Sequence, residues 1–286
     1  MLLRALLGAV VALLVAASPA LALSKTETAS SGQVTASLSY NYKQARYGTC
    51  CFENVHVTID RAGQRLVDQK LGGECEGCTG FPAGSAQSDS IRVRDLDDDG
   101  EPEVLVDLYT GGPHCCFYTD VWRFDAAQGK YLSDVLNPTI SFPYTLKDLN
   151  GDGTPEFRTV DYRFSYKYGS YVDTPSPLRI YDWDNGKLVD VTLAHPKLAA
   201  RDAASLYRAY LKVRRDKRAN VRGVLAAYLA DSYNARNGRD AWRRVVAAYR
   251  RGELNRKARD DFGPFGKRYL KSLRSFLKKL GYLRRT

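Results

Sequence analysis

The spacing of hydrophobic residues changes once along the chain, near residue 196. Before that point, apolar and polar residues alternate in short runs rich in β-branched side chains, such as 57–59 and 178–180, and turn residues bound each run. After it, apolar residues recur at the i, i+3, i+4, i+7 spacing of an amphipathic helix, as in 221–229 and 269–280. The pattern predicts an α+β fold in which antiparallel β-hairpins are followed by a C-terminal all-α helical bundle.

The strand region contains three similar hairpins. Each has an apolar strand end, an aspartate, a glycine-containing turn and a returning strand, and they occupy residues 59–66, 124–132 and 181–188. A Cys-Cys-Phe tripeptide starts ten residues before the aspartate of the first hairpin, and again ten residues before that of the second. Repetition at this period is typical of stacked sheet units. We therefore predict three units, over about 34–87, 88–137 and 141–193.

Two acidic loops carry the clearest chemistry in the chain. Residues 95–103 and 148–156 both have Asp at position 1, Asp or Asn at 3, Asp at 5, Gly at 6, Pro at 8 and Glu at 9. Oxygen-bearing side chains on alternate residues, with glycine where the chain turns back, are what a loop needs to surround Ca²⁺. An EF-hand or dockerin loop would end in an acidic residue at position 12 and continue as a helix. Val106 and Thr159 occupy that position here, within strand patterns. Polar hairpin turns that bind no ion are the simpler alternative.

The loops and their flanking strands resemble the FG-GAP/VCBS-type calcium-binding repeats of secreted bacterial proteins, over residues 88–193. Both loops have leucine at position 2 and lead directly into a strand after position 9. The resemblance implies that the side chains of positions 1, 3, 5 and 9 and the carbonyl of position 7 bind Ca²⁺. By position these are Asp95, Asp97, Asp99, Glu103 and the Glu101 carbonyl in the first loop, and Asp148, Asn150, Asp152, Glu156 and the Thr154 carbonyl in the second.

Propeller-blade-like hairpins are expected from this resemblance, but not a closed propeller. A propeller has about four to eight blades, and the chain supplies three units. An open stack of hairpins is therefore expected, with calcium bracing the turns.

The first residues predict export. Residues 1–22 combine an early arginine, an apolar run and a small-x-small cleavage site, which is typical of a secretory signal peptide. The apolar run is shorter than the roughly 20 residues of a membrane-spanning helix, so a membrane anchor is not favoured and no transmembrane segment is expected. The protein should be secreted, extracellular or periplasmic, with a β-repeat domain over 23–195 and a basic helical domain over 196–286.

Six cysteines occur as two adjacent pairs and one Cys-x-x-Cys motif: Cys50, Cys51, Cys75, Cys78, Cys115 and Cys116. An even count in an exported chain predicts disulfides, but six cysteines allow 15 connectivities. The alternative is a redox or metal site at Cys75 and Cys78. No βαβ pattern surrounds that motif, so structural disulfides are favoured.

Charge is distributed unevenly between the two regions. Residues 197–286 hold 26 Lys or Arg against 7 Asp or Glu, whereas residues 1–196 hold 17 against 25. The polar face of the last predicted helix carries Lys267, Arg268, Lys271, Arg274, Lys278 and Lys279. This face predicts attraction to an anionic cell-surface polymer or to lipid headgroups. A solvated face that docks partly on the acidic sheet region is the alternative. Nucleic acid is not expected, because Tyr and Trp fall on the apolar stripes.

No catalytic residue is predicted from the sequence. The three histidines are scattered, and nucleophile elbows, zinc-binding helices and phosphate-binding glycine loops are absent. The favoured prediction is a secreted, non-enzymatic binding or adhesion module that is stabilised by calcium and disulfides. A secreted hydrolase of cell-wall or glycan material, with structural calcium, is the alternative.

Overall fold

The structure is a computed structural model that describes residues 22–45, 48–71, 81–83, 89–110, 117–136, 143–256 and 263–283. Residues 1–21 of the predicted signal peptide lie outside these ranges. So do Cys75, Cys78, Cys115 and Cys116, and also the side chains of Cys50 and Cys51. The disulfide prediction therefore falls outside the described residues.

The first sheet is a four-stranded antiparallel meander in the order β1-β2-β3-β4. Its strands are β1 (Ala22–Ser31), β2 (Val34–Ala45), β3 (Gly48–Arg61) and β4 (Gln64–Lys70). The β3–β4 turn places Ala62 and Gly63 at φ values of 50° and 80°. Two successive positive φ values match the right-handed twist of the flanking strands, so the turn closes a tight hairpin.

The second sheet has five strands, and its order is β5-β7-β8-β9 with β6 also paired to β7. Its strands are β5 (Phe81–Pro82), β6 (Ile91–Arg94), β7 (Glu103–Tyr109), β8 (Phe117–Asp125) and β9 (Lys130–Val135). The short strands β5 and β6 pair with opposite ends of β7, so together they form one interrupted edge strand.

The third sheet repeats the meander in the order β10-β11-β12-β13. Its strands are β10 (Thr145–Lys147), β11 (Glu156–Val160), β12 (Leu178–Asp184) and β13 (Lys187–Asp190). Asn185 and Gly186 form the β12–β13 turn, with φ values of 48° and 79°. All three hairpins predicted from the sequence are thus present.

The sheets stack in chain order, and β7 lies in the middle of the stack. Val104, Val106 and Leu108 on one face of β7 pack in a core shared with the first sheet. Leu105 on the other face packs in a core shared with Phe157 and Trp183 of the third sheet. Because neighbouring residues of a strand point to opposite faces, β7 is buried on both sides. The predicted α+β fold, with open antiparallel sheets before the helices, is confirmed.

Four helices follow the sheets: α1 (Pro196–Val213), α2 (Arg222–Asn234), α3 (Gly238–Arg250) and α4 (Gly266–Lys279). They enclose a core of their own, which also receives Phe164 and Tyr168 from the loop between β11 and β12. In the described part of the chain, no helix is both long and apolar enough to cross a membrane.

Helix α2 differs from the amphipathic helix that its sequence predicts. Nearly all of its residues are buried, including Arg222, Asp231 and Asn234. Helices α1 and α3 and the loop after β11 all contact it, so it has no solvent-facing side. Asp231 accepts a hydrogen bond from the Leu178 amide, whereas Asp231 Oδ2 and Asn234 Nδ2 are buried without a hydrogen-bond partner among the described residues.

Candidate functional site

The two acidic loops occupy equivalent positions in neighbouring sheets. The first connects β6 to β7 and the second connects β10 to β11. In each case the glutamate at position 9 begins the outgoing strand and pairs with the last residue of the incoming strand, Glu103 with Arg94 and Glu156 with Lys147. The sequence repeat is therefore a structural repeat.

Equivalent hydrogen bonds hold both loops. The position 9 carboxylate accepts from the position 2 amide, at 3.1 Å for Glu103 and 2.6 Å for Glu156. The position 1 carboxylate accepts from the position 6 glycine amide, at 2.9 Å for Asp95 and 3.1 Å for Asp148. Gly100 and Gly153 at position 6 have φ values of 83° and 101°, a backbone conformation that favours glycine.

The first loop gathers three carboxylates. Oxygen atoms of Asp95, Asp97 and Asp99 lie within 4.8 Å of one another. One oxygen each of Asp95 and Asp97 is buried and has no hydrogen-bond partner. Unsatisfied buried oxygens of this kind cost free energy unless a donor or cation pairs with them. The arrangement therefore fits a divalent cation with oxygen ligands.

The pKa values of two carboxyl groups in the first loop are raised, which also fits a site for a cation. Burial, with the charges of Asp99 and Asp95, raises the pKa of Asp97. Burial is also the main reason why the pKa of Glu103 is raised to about 8, and the charge of Asp97 adds to it. A bound cation would offset both effects, because an opposite charge favours the ionised carboxylate.

The Glu101 side chain fixes the first loop to the first sheet. Its carboxylate accepts hydrogen bonds from Arg61 Nε at 2.9 Å and Nη2 at 2.7 Å, and from Gln33 at 3.2 Å. The Arg61 guanidinium also lies over the Phe124 ring, 4.1 Å from its centroid. Two parallel bonds between arginine and carboxylate set orientation as well as distance. The loop is thus held in place from outside as well as from within.

The second loop satisfies its own polar groups more fully. Asp152 accepts from the Thr154 amide at 2.9 Å, the Thr154 hydroxyl at 2.7 Å and the Asn150 side-chain amide at 2.7 Å. These hydrogen bonds, led by that of the Thr154 hydroxyl, lower the pKa of Asp152. Asn150 stands where the first loop has Asp97, so one negative charge is replaced by a donor. The ten predicted ligand residues thus form two unequal sets. Among the described residues, the first has two buried carboxylate oxygens without a hydrogen-bond partner, and the second has one, Glu156 Oε1.

Glu156 of the second loop meets a residue that the ligand prediction did not include. Its Oε1 atom lies 3.5 Å from His195 Nε2, and both side chains are buried. His195 immediately precedes α1. The contact therefore joins the second loop to the start of the helical region.

The helical region contains a cavity of about 1110 Å³ beside the α2–α3 turn. Its charged lining consists of Arg236, Arg239, Arg243, Arg274 and Asp240. Tyr233, Trp242 and Tyr282 contribute aromatic walls. Of these residues, the sequence prediction singled out only Arg274 as part of a charged face. The others were not recognised because the cavity forms only when α4, Tyr282 and Leu283 pack against the turn.

Comparisons with known proteins give one family match, and it falls in the helices. Residues 199–281 match the family described as the sll0997 C-terminal domain. The chain is 29% identical over 206 residues to the "Probable thylakoid lumen protein sll0997" of Synechocystis sp. (strain ATCC 27184 / PCC 6803 / Kazusa), covering 68% of this chain and 60% of that protein. It is also 29% identical over 137 residues to the "Uncharacterized protein y4bJ" of Sinorhizobium fredii (strain NBRC 101917 / NGR234), covering 47% of this chain and 20% of that protein. The chain thus spans less than two thirds of the length of either relative. No solved structure matches it significantly.

These matches overturn the resemblance to FG-GAP/VCBS repeats. The matched family is a different one, and its match falls in the helices and not in the acidic loops. The physical reason is that a short turn rich in Asp and Gly suits many connections between antiparallel strands, so it does not specify a family. The case for calcium therefore rests on the loop geometry alone, and the family similarity of the chain lies in residues 199–281, which resemble the sll0997 C-terminal domain.

Proposed function

We propose that this protein is an exported, non-enzymatic binding module in which the first acidic loop holds Ca²⁺ and the basic helices contact an anionic polymer. The observation that carries the calcium part is the convergence of Asp95, Asp97 and Asp99, with two buried oxygens that have no hydrogen-bond partner. The relative described as a thylakoid lumen protein is compatible with a lumenal or periplasmic type of compartment.

Calcium in the first loop would act on structure. The loop joins β6 to β7, and β7 is the strand buried between the first and third sheets. Holding the β6–β7 turn closed therefore supports both cores at once. The second loop would bind more weakly, because its own hydrogen bonds already satisfy Asp152.

The lining of the cavity favours binding over hydrolysis. A glycoside hydrolase needs two carboxyl groups that flank the scissile bond. The described cavity carries four arginines and a single carboxylate, that of Asp240. Asp240 is moreover paired with Arg243. These groups suit recognition of an anion and not acid–base catalysis on a sugar.

Calcium is expected to raise the thermal stability of the protein above that in chelator. Extracellular calcium modules have Kd values of about 10⁻⁴–10⁻³ M, so an excess of roughly 10 to 100 times Kd would add about 1.4–2.7 kcal/mol. Thermal unfolding in calcium and in EDTA measures this difference. Superimposable melting curves would contradict the calcium proposal.

Substitutions of two adjacent aspartates test the calcium site, one inside the carboxylate cluster and one outside it as the control. Asp97→Asn should strongly reduce the calcium-dependent shift, towards the weaker binding expected of the second loop, which has Asn150 at this position. It should leave stability in EDTA equal or higher, because it removes a carboxylate whose ionisation is disfavoured. Asp98→Asn removes the same charge one residue away, outside the cluster. Asp98 has a φ of 59°, which Asn tolerates. The Asp98 variant should keep the shift, and equal loss in both variants would show that only net charge matters.

Binding to an anionic polymer is expected to weaken steadily with added salt. The exposed cations of α4 include Lys267, Lys271, Lys278 and Lys279, and attraction between exposed charges is screened within about 8 Å at physiological ionic strength. Retention of the protein on immobilised polygalacturonate at increasing salt measures the effect. Retention that high salt leaves unchanged would exclude the electrostatic attachment.

A further inference from the structure

The turn between α2 and α3 has an arginine where a glycine is usual. The Arg236 amide donates to the Tyr233 carbonyl at 3.0 Å, and the Asn237 amide donates to the Ser232 carbonyl at 2.8 Å. These two bonds define a Schellman C-cap, whose left-handed position is most often Gly. Arg236 occupies that position with a φ of 62°. A side chain with a Cβ is strained there, so the arginine gives the fold no advantage over glycine.

The side chains around this turn form one wall of the cavity. A Cβ on Gly238 would lie 2.2 Å from Tyr233 Cδ1, so the Tyr233 ring lies directly on the first residue of α3. Tyr233 lines the cavity together with Arg239 and Arg274. Burial raises the pKa of Tyr233, and the charges of Arg274 and Arg239 oppose that rise. Residues from two helices and a turn thus converge on a single space.

Only part of the positive charge that lines the cavity is paired with a carboxylate of the described residues. Arg243 pairs with Asp240. Within the described ranges, neither Arg236 nor Arg274 forms an ion pair. Guanidinium groups pair with carboxylate and phosphate groups through two parallel hydrogen bonds to two of their oxygens. Together with the helix N-terminus at Gly238, the cavity therefore favours an anionic ligand.

The other residues that line the cavity indicate which class of molecule bears the anionic group. Trp242 is half-buried: it packs against the helical core and also lines the cavity with the arginines. A lipid site would need an apolar rim that enters the bilayer. None of the exposed large apolar side chains among the described residues lines this cavity. A flat aromatic surface beside guanidinium groups fits a sugar ring that bears an acidic substituent.

We propose that this cavity is a binding site for an acidic sugar, one repeat of a polysaccharide that carries carboxylate or phosphate groups. Arg236 and Arg274 hold the oxyanion, and the sugar ring lies against Trp242. The inference deepens the proposed attachment to an anionic polymer and rests on it. It adds a defined site, where the charged face of α4 alone would give only diffuse attraction.

Intrinsic fluorescence reports on this site selectively. Of the three tryptophans, Trp122 and Trp183 are buried in the sheets, and Trp242 lines the cavity. Titration with trigalacturonic acid or glucose 6-phosphate is expected to change the emission of Trp242, whereas neutral maltotriose should have no effect. The tighter of the two acidic probes identifies the oxyanion. An equal response to maltotriose would overturn the requirement for charge.

Two variants and one control distinguish binding in the cavity from attraction to the overall positive charge of the protein. Arg236→Gly is expected to weaken binding on the order of tenfold, the loss of one charge-assisted contact, while the melting temperature stays the same or rises. Arg274→Gln should weaken binding similarly. Arg268→Gln makes the same change on the same helix outside the cavity and should bind normally.

The outcomes distinguish this inference from the proposed function. Equal losses in the Arg274 and Arg268 variants, with salt-dependent retention on polygalacturonate intact, would overturn the cavity site and leave the diffuse attachment standing. If the wild-type protein is not retained on polygalacturonate at any salt concentration, both the cavity site and the diffuse attachment are overturned. Tighter binding of single-stranded oligothymidylate, or of phosphatidylglycerol vesicles, than of the acidic sugars would also overturn the assignment.

Discussion

Replacing Asp161 by alanine is expected to lower the free energy of unfolding by about 3–5 kcal/mol, the cost of leaving a buried charge without its partner. Asp161 is 4% exposed and lies just after β11. Its Oδ2 atom accepts from Arg179 Nη2 at 3.0 Å and from the Tyr282 hydroxyl at 2.9 Å. Arg163 adds hydrogen bonds at 2.7 and 2.8 Å. Arg179 is almost fully buried, so the substitution would leave its charge with Asp190 alone.

The pH dependence of the Asp161 contribution has a definite sign. Burial opposes ionisation, but the hydrogen bond from Arg163 and the charge of Arg179 outweigh it and lower the pKa of Asp161. The ionised form is therefore favoured by folding, and its contribution is present at neutral pH and lost as the pH falls through the lowered pKa. Denaturant titrations at several pH values should show the wild type and the Asp161→Ala variant converging in acid. Asp161→Asn, which keeps an acceptor of the same shape, should lose less stability at neutral pH.

Replacing Asp231 by alanine is expected to cost about 2–4 kcal/mol, and replacing it by asparagine should stabilise the protein at neutral pH. Asp231 lies in α2, is fully buried, and accepts from the Leu178 amide at 3.0 Å. Alanine would leave that amide unpaired and open a small cavity. Asparagine keeps the acceptor and avoids the free-energy cost of protonating the aspartate when the protein folds at neutral pH.

Asp231 should depend on pH in the opposite sense to Asp161. Burial, together with neighbouring Asp202, raises the pKa of Asp231 well above its ordinary value. The protonated form is favoured by folding, so stability is lost as the pH rises from the unfolded pKa to the folded one, by about 1.4 kcal/mol for each pH unit. The advantage of Asp231→Asn over the wild type should grow across that interval, measured by denaturant titration. A difference that does not vary with pH would mean that Asp231 is ionised in the folded protein.

Features encoded by neighbouring residues could be predicted from the sequence. The Asn185-Gly186 turn and the equivalence of the two acidic loops depend on residues close together in the chain, and the structure contains both. Strand β1 was missed because Ala22–Ser31 has few apolar residues and mostly exposed side chains, so it gives no strong alternation. Helix α2 was predicted to have one apolar face, since the elements that cover its other faces come from distant parts of the chain.

In the candidate sites, too, features set by neighbouring residues could be predicted, and features set by distant parts of the chain could not. The carboxylates of the first loop could be named from their spacing, and the difference between Asp97 and Asn150 at position 3 was visible in the sequence. How Asp152 is satisfied by Thr154 and Asn150 was not visible. The arginine cavity was not predictable, because Arg274 approaches Arg236 and Arg239 only through helix packing.

The unusual residue at the α2–α3 turn has a consequence for how such a protein should diversify. Where the ligand is retained, selection must keep an arginine in a backbone conformation that disfavours it. Where the ligand is no longer used, random substitution should move that position towards glycine, which the C-cap accepts more readily. In related proteins, the identity of the residue that aligns with Arg236 would then predict whether the acidic sugar is still recognised.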